Sequence, residues 1–422
     1  MRPLRTLFLL IAAILPASRA AAQADTAIVR YLSENYNVRF QPGNAVRILP
    51  SALQKYAALE EDLRRARHAI HMDYFAIRYD SISRVVFDIL REKARQGVEV
   101  RIVDDAFGNG KGEHALTDKQ IRDLREEGID VRIFSPFRFP WLNHVFHRDH
   151  RKIVVIDGTV GYIGGMNVAD YYIHGKGQVK EWRDMHLRIA GPAVSELQRV
   201  FINFWNSLTD EQVGGEAYYR MSFDMKDAYR AGSALIGVTN RTPSRGNDWP
   251  TRNNRIARDA ACKAIDEARH HIQIVNPYFA PSPKVWKALR RALKRGVDVE
   301  LMISAQGDVP FTQLAVEHSA YRLMKRGARV YVYEPGFHHS KVMTIDDHVS
   351  YVGSVNFDHR SLYSDYECNV MIVDSCAAHD LQAVFEADKA RSFRLTPETR
   401  KTRYTPWRRF RGRLTTLFRP LL

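Results

Sequence analysis

Three cysteines in 422 residues leave little room for two kinds of architecture. Cys262, Cys368 and Cys376 stand at no metal-ligand spacing, which excludes a zinc-ribbon or disulfide-framework fold. Buried thiols are expected, with one disulfide left open in an exported chain. Long apolar runs are also missing. A bilayer span needs about 20 apolar residues, and the run from Leu7 to Leu15 falls well short. Arg2 and Arg5 precede that run, and Pro16 and small residues ending in Ala22, Gln23 and Ala24 follow it. This is the pattern of an export signal cut near Ala24, with an uncleaved anchor as the alternative. No later segment is long or apolar enough to span.

Acid is absent from one stretch. From Arg400 to Leu422 there are eight Arg or Lys and no Asp or Glu. The formal net charge is +15, and the leader accounts for three of those charges and this tail for eight. Basicity is therefore local, which argues against a nucleic-acid-binding surface spread over the whole chain. Trp407, Phe410, Leu414, Leu417, Phe418, Leu421 and Leu422 interleave with the tail cations. That mixture fits a segment lying on an anionic lipid surface better than a merely solubilising end.

What is present is a repeat, and repeats decide architecture before local patterns do. His150, Lys152, Asp157, Gly164 and Asn167 recur 189 residues later as His339, Lys341, Asp346, Gly353 and Asn356. "RQGVEVRIV" answers "KRGVDVELMI", and "LREEGIDVRIF" answers "LMKRGARVYVY", with Gly97 and Gly128 matching Gly296 and Gly327 at an offset of 199. The first copy thus carries about ten extra residues, assigned to "FRFPWLNHVF". "ARHAIHMDYFA" pairs with "ARHHIQIVNPYFA", and "LQRVF" with "LQAVF". With 45% apolar and 26% charged residues the chain is globular. Amphipathic helical patterns alternate with β-branched runs, the signature of an α/β sandwich in each half. The expected organisation is a leader over 1–24, a first half over 25–212, a linker and second half over 213–396, and a basic tail over 397–422. The halves meet across "TDEQVGGEAYYRMSF" and a polar stretch, "TNRTPSRGNDWPTRNN", read as a surface loop.

The motif places histidine and lysine two apart on a strand, so both side chains leave one face. Asp157, an odd five residues further, falls on the other side and suits a turn or supporting role. Two copies facing one another would bring together two imidazoles, two lysines and two asparagines. That set performs phosphodiester chemistry without metal or cofactor: Lys152, Lys341, Asn167 and Asn356 cover the non-bridging oxygens, one imidazole attacks phosphorus, and the other protonates the leaving oxygen. A carboxylate is needed behind each ring to set its tautomer, and Asp184 and Glu367 stand at matching places after the two motifs. A zinc reading of His147 and His150 lacks further spaced ligands. His144, His338, His348 and His359 are read as surface or supporting residues.

These motifs, "HRKIVVIDGTVGYIGGMN" and "HSKVMTIDDHVSYVGSVN", resemble the HxKxxxxD and G-[GS]-x-N signature of the phospholipase D superfamily. The flanks "HMDYFAIRYD", "WRDMHLRIAGPAV", "NPYFAPSP" and "GSVNFDHRS" resemble bacterial cardiolipin synthases, and the likeness runs from about Val46 to the C-terminus. The resemblance implies two tandem halves related by a pseudo-two-fold axis with the active site at their interface. It implies a catalytic set of His150, Lys152, Asp157, His339, Lys341 and Asp346, with a phosphohistidine on His150 and His339 as the general acid. It implies phosphatidylglycerol as substrate and an anionic membrane as working surface. Cardiolipin synthases of the commonest type begin with two membrane-spanning helices, where this chain has its leader. Phospholipid hydrolysis to phosphatidic acid, an exported nuclease and a lipid-binding scaffold are the competing readings. Both motifs in one chain suggest that a monomer can be complete, with oligomers left open.

Overall fold

The computed structural model of the chain describes residues 25–110, 114–136, 147–219, 232–243 and 253–416. The leader, the ten-residue insert 137–146 with its His144, most of the polar stretch and the last six tail residues lie outside the described residues.

Strands of the first half are β1 (Phe40–Leu49), β2 (Ala69–Tyr74), β3 (Glu99–Asp105), β4 (Ile129–Phe134), β5 (Lys152–Ile156), β6 (Val160–Gly164), β7 (Trp182–Arg183) and β8 (His186–Ala190). Those of the second are β9 (Ala234–Arg241), β10 (His271–Val275), β11 (Asp298–Ser304), β12 (Arg329–Tyr333), β13 (Phe337–His338), β14 (Val342–Ile345), β15 (Val349–Gly353), β16 (Glu367–Val373) and β17 (Ser392–Arg394). One half runs β4-β3-β2-β5-β6-β8-β1 across the sheet, and the other runs β12-β11-β10-β14-β15-β16-β9 in the same sense, with β17 at its outer edge. β1 and β9 pair antiparallel and fuse the two into one fifteen-stranded sheet.

The local reasons are legible. Gly97, Gly128, Gly296 and Gly327 each end a helix before a strand, and each has φ between +84 and +105. Side chains other than glycine rarely adopt that conformation, so the glycine stops the helix and turns the chain into the sheet. In the helix Ser81–Arg95, Asp80 caps the first turn through Ser83, a contribution of about 1 kcal/mol. Val86, Ile89, Leu90 and Lys93 then fall on one buried face.

Among the described residues three large apolar clusters fill the layers. The middle one joins Ile153, Val155 and Leu187 of the first half to Val342, Val352 and Val370 of the second, with Leu197 and Leu381 from the matching "LQRVF" and "LQAVF" helices. The halves therefore share a core.

Three sequence expectations need correction. Residues 25–38, assigned to the first half, pack into the second: Ile28, Leu32 and Val38 are buried with Ile256 and Ala260, and the Tyr36 hydroxyl donates to Asp259 at 2.6 Å. Thr239–Arg241, the start of the expected polar loop, belong to β9: their pairing with β16 continues through Asn369, Cys368 and Glu367, and Thr239 and Arg241 are buried although polar. The described part of the tail forms helices Pro397–Arg403 and Pro406–Thr415 after the second half, and Arg408 forms a two-toothed ion pair with Glu317. Cys368 is buried and Cys262 half-buried, but Cys376 is exposed on the first turn of helix Ser375–Lys389; all three are free thiols.

Candidate active site

Two short parallel contacts build the site. β7 pairs with β13, Trp182 opposite Phe337 and Arg183 opposite His338. The His339 amide donates to the Arg183 carbonyl at 2.6 Å. This brings Asp184, the next residue, beside the next ring: Asp184 Oδ2 lies 2.7 Å from His339 Nδ1. The second contact repeats the first with the halves exchanged. Asp149 bridges Tyr366, the His150 amide donates to the Tyr366 carbonyl at 3.0 Å, and Glu367 Oε1 lies 3.0 Å from His150 Nδ1. Each imidazole is thus backed by the carboxylate of the opposite half. A carboxylate on Nδ1 fixes the tautomer and leaves Nε2 for chemistry.

The lysines sit under the rings. Lys152 Nζ donates to the His150 carbonyl and Lys341 Nζ to the His339 carbonyl, and both lysines are buried. Burial pushes Lys152 down to about 8, against the pull of Glu367. Burial pushes Lys341 down to about 7, with Lys152 adding repulsion and Asp184 opposing. His150 is held well below its ordinary value by burial and by both Lys152 and Lys341, one lysine from each half. His339 is lowered to about 4 by burial and Lys341. Cations from both halves therefore press on one space, and an anion placed there would relieve each of these shifts.

The two carboxylates differ. On Asp184, burial would raise the pKa, but His339, Lys341 and the Met185 amide outweigh it and hold the group at about 2. On Glu367, burial wins over Lys152 and the Ser354 hydroxyl, and the carboxyl is pushed up to about 8.

The asparagines lie beside this arrangement. Asn167 Nδ2 donates to the Tyr171 hydroxyl at 3.2 Å, and the Oδ1 atoms of Asn167 and Asn356 are buried without a partner among the described residues. Tyr56 and Lys55 both donate to the Asn167 carbonyl, at 2.9 and 3.2 Å, which fixes the first G-G-x-N turn.

The motif aspartates are a correction to the catalytic set. Asp157 accepts the backbone amides of Arg67, His68 and Ala69 at 2.7–2.9 Å, at the start of β2. Lys152 pairs with Tyr74, at the other end of that strand. At about 3.3 Å per residue, five residues separate Asp157 from the lysine by roughly 16 Å. Asp346 does the same for Arg269, His270 and His271. Both aspartates stand at positive φ, +54 and +49, and anchor turns.

Sequence reasoning missed three features. Lys55, fully buried and lowered to about 7 by burial, has no lysine at the matching place in the second half. Trp182, Phe337, Tyr278 and Tyr172 surround His339 with ring centroids 5.3–6.5 Å away, whereas Phe75 meets His150 edge-on at 5.1 Å. The repeated "YFA" after β2 and β10 was the available signal. Arg148, two residues before His150, is buried against Asp105 at the end of β3. Of the other histidines, His338 is fully buried and meets Asp388 at 2.9 Å.

A fused pair of α/β halves that back each other's histidines defines a two-motif phospholipase D fold within one chain. The family model for the cardiolipin synthase, phospholipase D-like domain matches residues 59–205 and 261–389. The chain is 35% identical over 381 residues to a cardiolipin synthase of Staphylococcus aureus (strain Mu50), covering 90% of this chain and 74% of that one. It is 33% identical over 353 residues to a probable cardiolipin synthase of Bacillus subtilis (strain 168), covering 83% and 67%. In fold it is similar to phosphatidylserine synthase of Haemophilus influenzae Rd KW20, with a TM-score of 0.68 and 15% identity over 94% of this chain and all of that one. The chain belongs to the cardiolipin synthase family of phospholipase D-like proteins.

Proposed function

We propose that this phospholipase D-type phosphatidyltransferase joins two phosphatidylglycerol molecules to give cardiolipin and glycerol. The observation that carries the reading is the crossed arrangement of His150 with Glu367 and His339 with Asp184 around two buried lysines.

His150 Nε2 forms a bond to phosphorus and the bond to the glycerol oxygen breaks. His339 Nε2 gives its proton to that oxygen. A hydroxyl of the second phosphatidylglycerol then gives its proton back to His339 and attacks phosphorus, and the phosphorus–nitrogen bond breaks. Lys152, Lys341, Asn167 and Asn356 carry the charge on the non-bridging oxygens. Ionised Asp184 stabilises the imidazolium of His339. That ring is held at about 4 in the free protein, and the negative phosphodiester beside it raises the value so that it takes up a proton. Glu367, serving the nucleophile, holds His150 in place and must itself be ionised for Nε2 to be bare.

The reading includes export through the leader, 25–212 and 213–396 as the two halves subject to the exchange of residues 25–38, and a complete monomer. Among the described residues no helix is long and apolar enough to cross a membrane. The test is lipid mass spectrometry after incubating wild-type and His150→Ala protein with phosphatidylglycerol vesicles. Cardiolipin and glycerol from wild-type alone support the reading; phosphatidic acid alone replaces it with a hydrolase.

A further inference from the structure

Eight large apolar side chains are exposed among the described residues, and six of them fall in three segments: Phe107, Val309 with Phe311, and Trp407, Phe410 and Leu414. The first two segments occupy matching places. Phe107 follows β3, whose last residue Asp105 holds Arg148 two positions before His150. Val309 and Phe311 follow β11, whose last residue Ser304 accepts the His338 amide at 2.7 Å, one position before His339. Between Ser304 and Val309, Asp308 accepts the Tyr278 hydroxyl at 2.5 Å, and the Tyr278 ring lies 6.1 Å from that of His339. Exposed apolar groups therefore rise from the loops that hold each histidine.

The third segment is fastened to the second. Helix Pro406–Thr415 packs on helix Pro310–Met324, which begins at the Val309 loop. A Cβ on Gly412 would meet the Leu314 carbonyl at 2.8 Å, so only glycine allows this approach. Arg408 and Glu317 lock one side, and Arg400 lies 3.7 Å over the Tyr321 ring. The outer face carries Trp407, Phe410 and Leu414, at i, i+3 and i+7, which are 64, 49 and 42% exposed. Arg411 and Arg413 flank them and are exposed.

The geometry points to a docking face for an anionic bilayer, made by the tail helix and the two histidine-bearing loops, that sets the active-site mouth against the lipid surface. Charge selects the occupant: Arg411 and Arg413 stand exposed beside the apolar row and complement anionic headgroups, while the helical row of aromatic and aliphatic side chains enters the interface. The inference rests on the phosphatidyltransferase reading for its purpose, since a lipid must reach both imidazoles from one side.

The test is flotation of the full chain with phosphatidylglycerol-containing and pure phosphatidylcholine vesicles, beside turnover of vesicular phosphatidylglycerol and of a short-chain, monomerically dissolved phosphatidylglycerol. Trp407→Ser/Phe410→Ser/Leu414→Ser is expected to lose at least tenfold in binding to anionic vesicles and in vesicular turnover, with short-chain turnover within twofold of wild-type. Val309→Ser/Phe311→Ser and Phe107→Ser should each weaken vesicle binding in the same assay. Unchanged anionic-vesicle binding in all three variants overturns the docking face, as does equal wild-type binding to neutral and anionic vesicles. Wild-type protein that binds anionic vesicles through this face yet turns over neither lipid leaves the docking face standing and removes the phosphatidyltransferase reading.

Discussion

Asp184 and Glu367 hold matching positions after matching motifs and meet matching imidazoles, yet one carboxyl is held at about 2 and the other is pushed up to about 8. The neighbours account for it. Gly165 leaves Asp184 so close that a Cβ there would lie 2.3 Å from its Oδ1, and the Met185 amide donates to that same oxygen at 2.7 Å. At the equivalent position in the second copy stands Ser354, whose hydroxyl donates to Glu367, a longer side chain sunk where burial dominates. Duplication supplied the geometry, and local environment divided the labour. On the proposed mechanism the carboxyl held at about 2 serves the acid–base partner and the one pushed up to about 8 serves the nucleophile.

The comparison breaks most sharply at the histidines themselves. His150→Ala and His339→Ala should each lower kcat/KM for transfer by on the order of 10⁴-fold or more, read by cardiolipin formation. The carboxylates should separate next. Asp184→Asn removes a charge that is present at pH 7 and should cost about 10²–10⁴-fold. Glu367→Gln replaces a group that is already largely neutral and should cost roughly tenfold at pH 7, increasing above pH 8; steady-state rates at both pH values decide.

Exchanging the small neighbours tests the cause. Gly165→Ser forces atoms into Asp184 and should reduce activity about 10²-fold, whereas Ser354→Gly removes one hydrogen bond, about 1–3 kcal/mol in a buried site, and should move the Glu367 titration upward. That titration can be isolated in His339→Ala with a phosphatidyl ester whose leaving group needs no proton. With the anionic phosphodiester bound, Lys152 and Lys341 are held charged, so the pH dependence of the step is set by the His150–Glu367 pair, which must lose its proton to attack. The rate of adduct formation should climb about tenfold per pH unit and level off above about 8. The smallest effect on chemistry belongs to the shared core. Leu197→Ala and Leu381→Ala should each destabilise the whole chain by about 2–5 kcal/mol in one cooperative melt, with little change in folded-state activity.

Much of this was legible in the sequence, for physical reasons. An offset of 189 kept over five residues requires two equivalent units, whereas the strand expected to carry both histidine and lysine begins only at Lys152 in the first copy and at Val342, past both residues, in the second. The need for a carboxylate behind each imidazole pointed to Asp184 and Glu367. What the sequence did not contain was the exchange of partners, because pairing of β7 with β13 and of Asp149 with Tyr366 is a relation between distant segments with no local pattern. The motif aspartates show the opposite error. The family resemblance placed Asp157 and Asp346 in the catalytic set, although the odd step from the lysine already turned Asp157 away; they recur because both copies need the same turn. β1 escaped notice as the seam of the sheet, since Phe40–Leu49 carries Gln, Pro, Gly and Asn where it bends against β9. Lys55 was hidden by its helical pattern, where a lysine reads as solvent-facing until the fold buries it.

The account's central claim is that two like histidines have unlike roles. Intact-protein mass spectrometry tests it directly, on His339→Ala and His150→Ala protein quenched after brief exposure to the activated phosphatidyl ester. The account predicts a mass gain of one phosphatidyl group in His339→Ala, mapped to the peptide containing His150, and no gain in His150→Ala. An adduct on His339 in the His150→Ala protein, with none on His150 in the other, would contradict it.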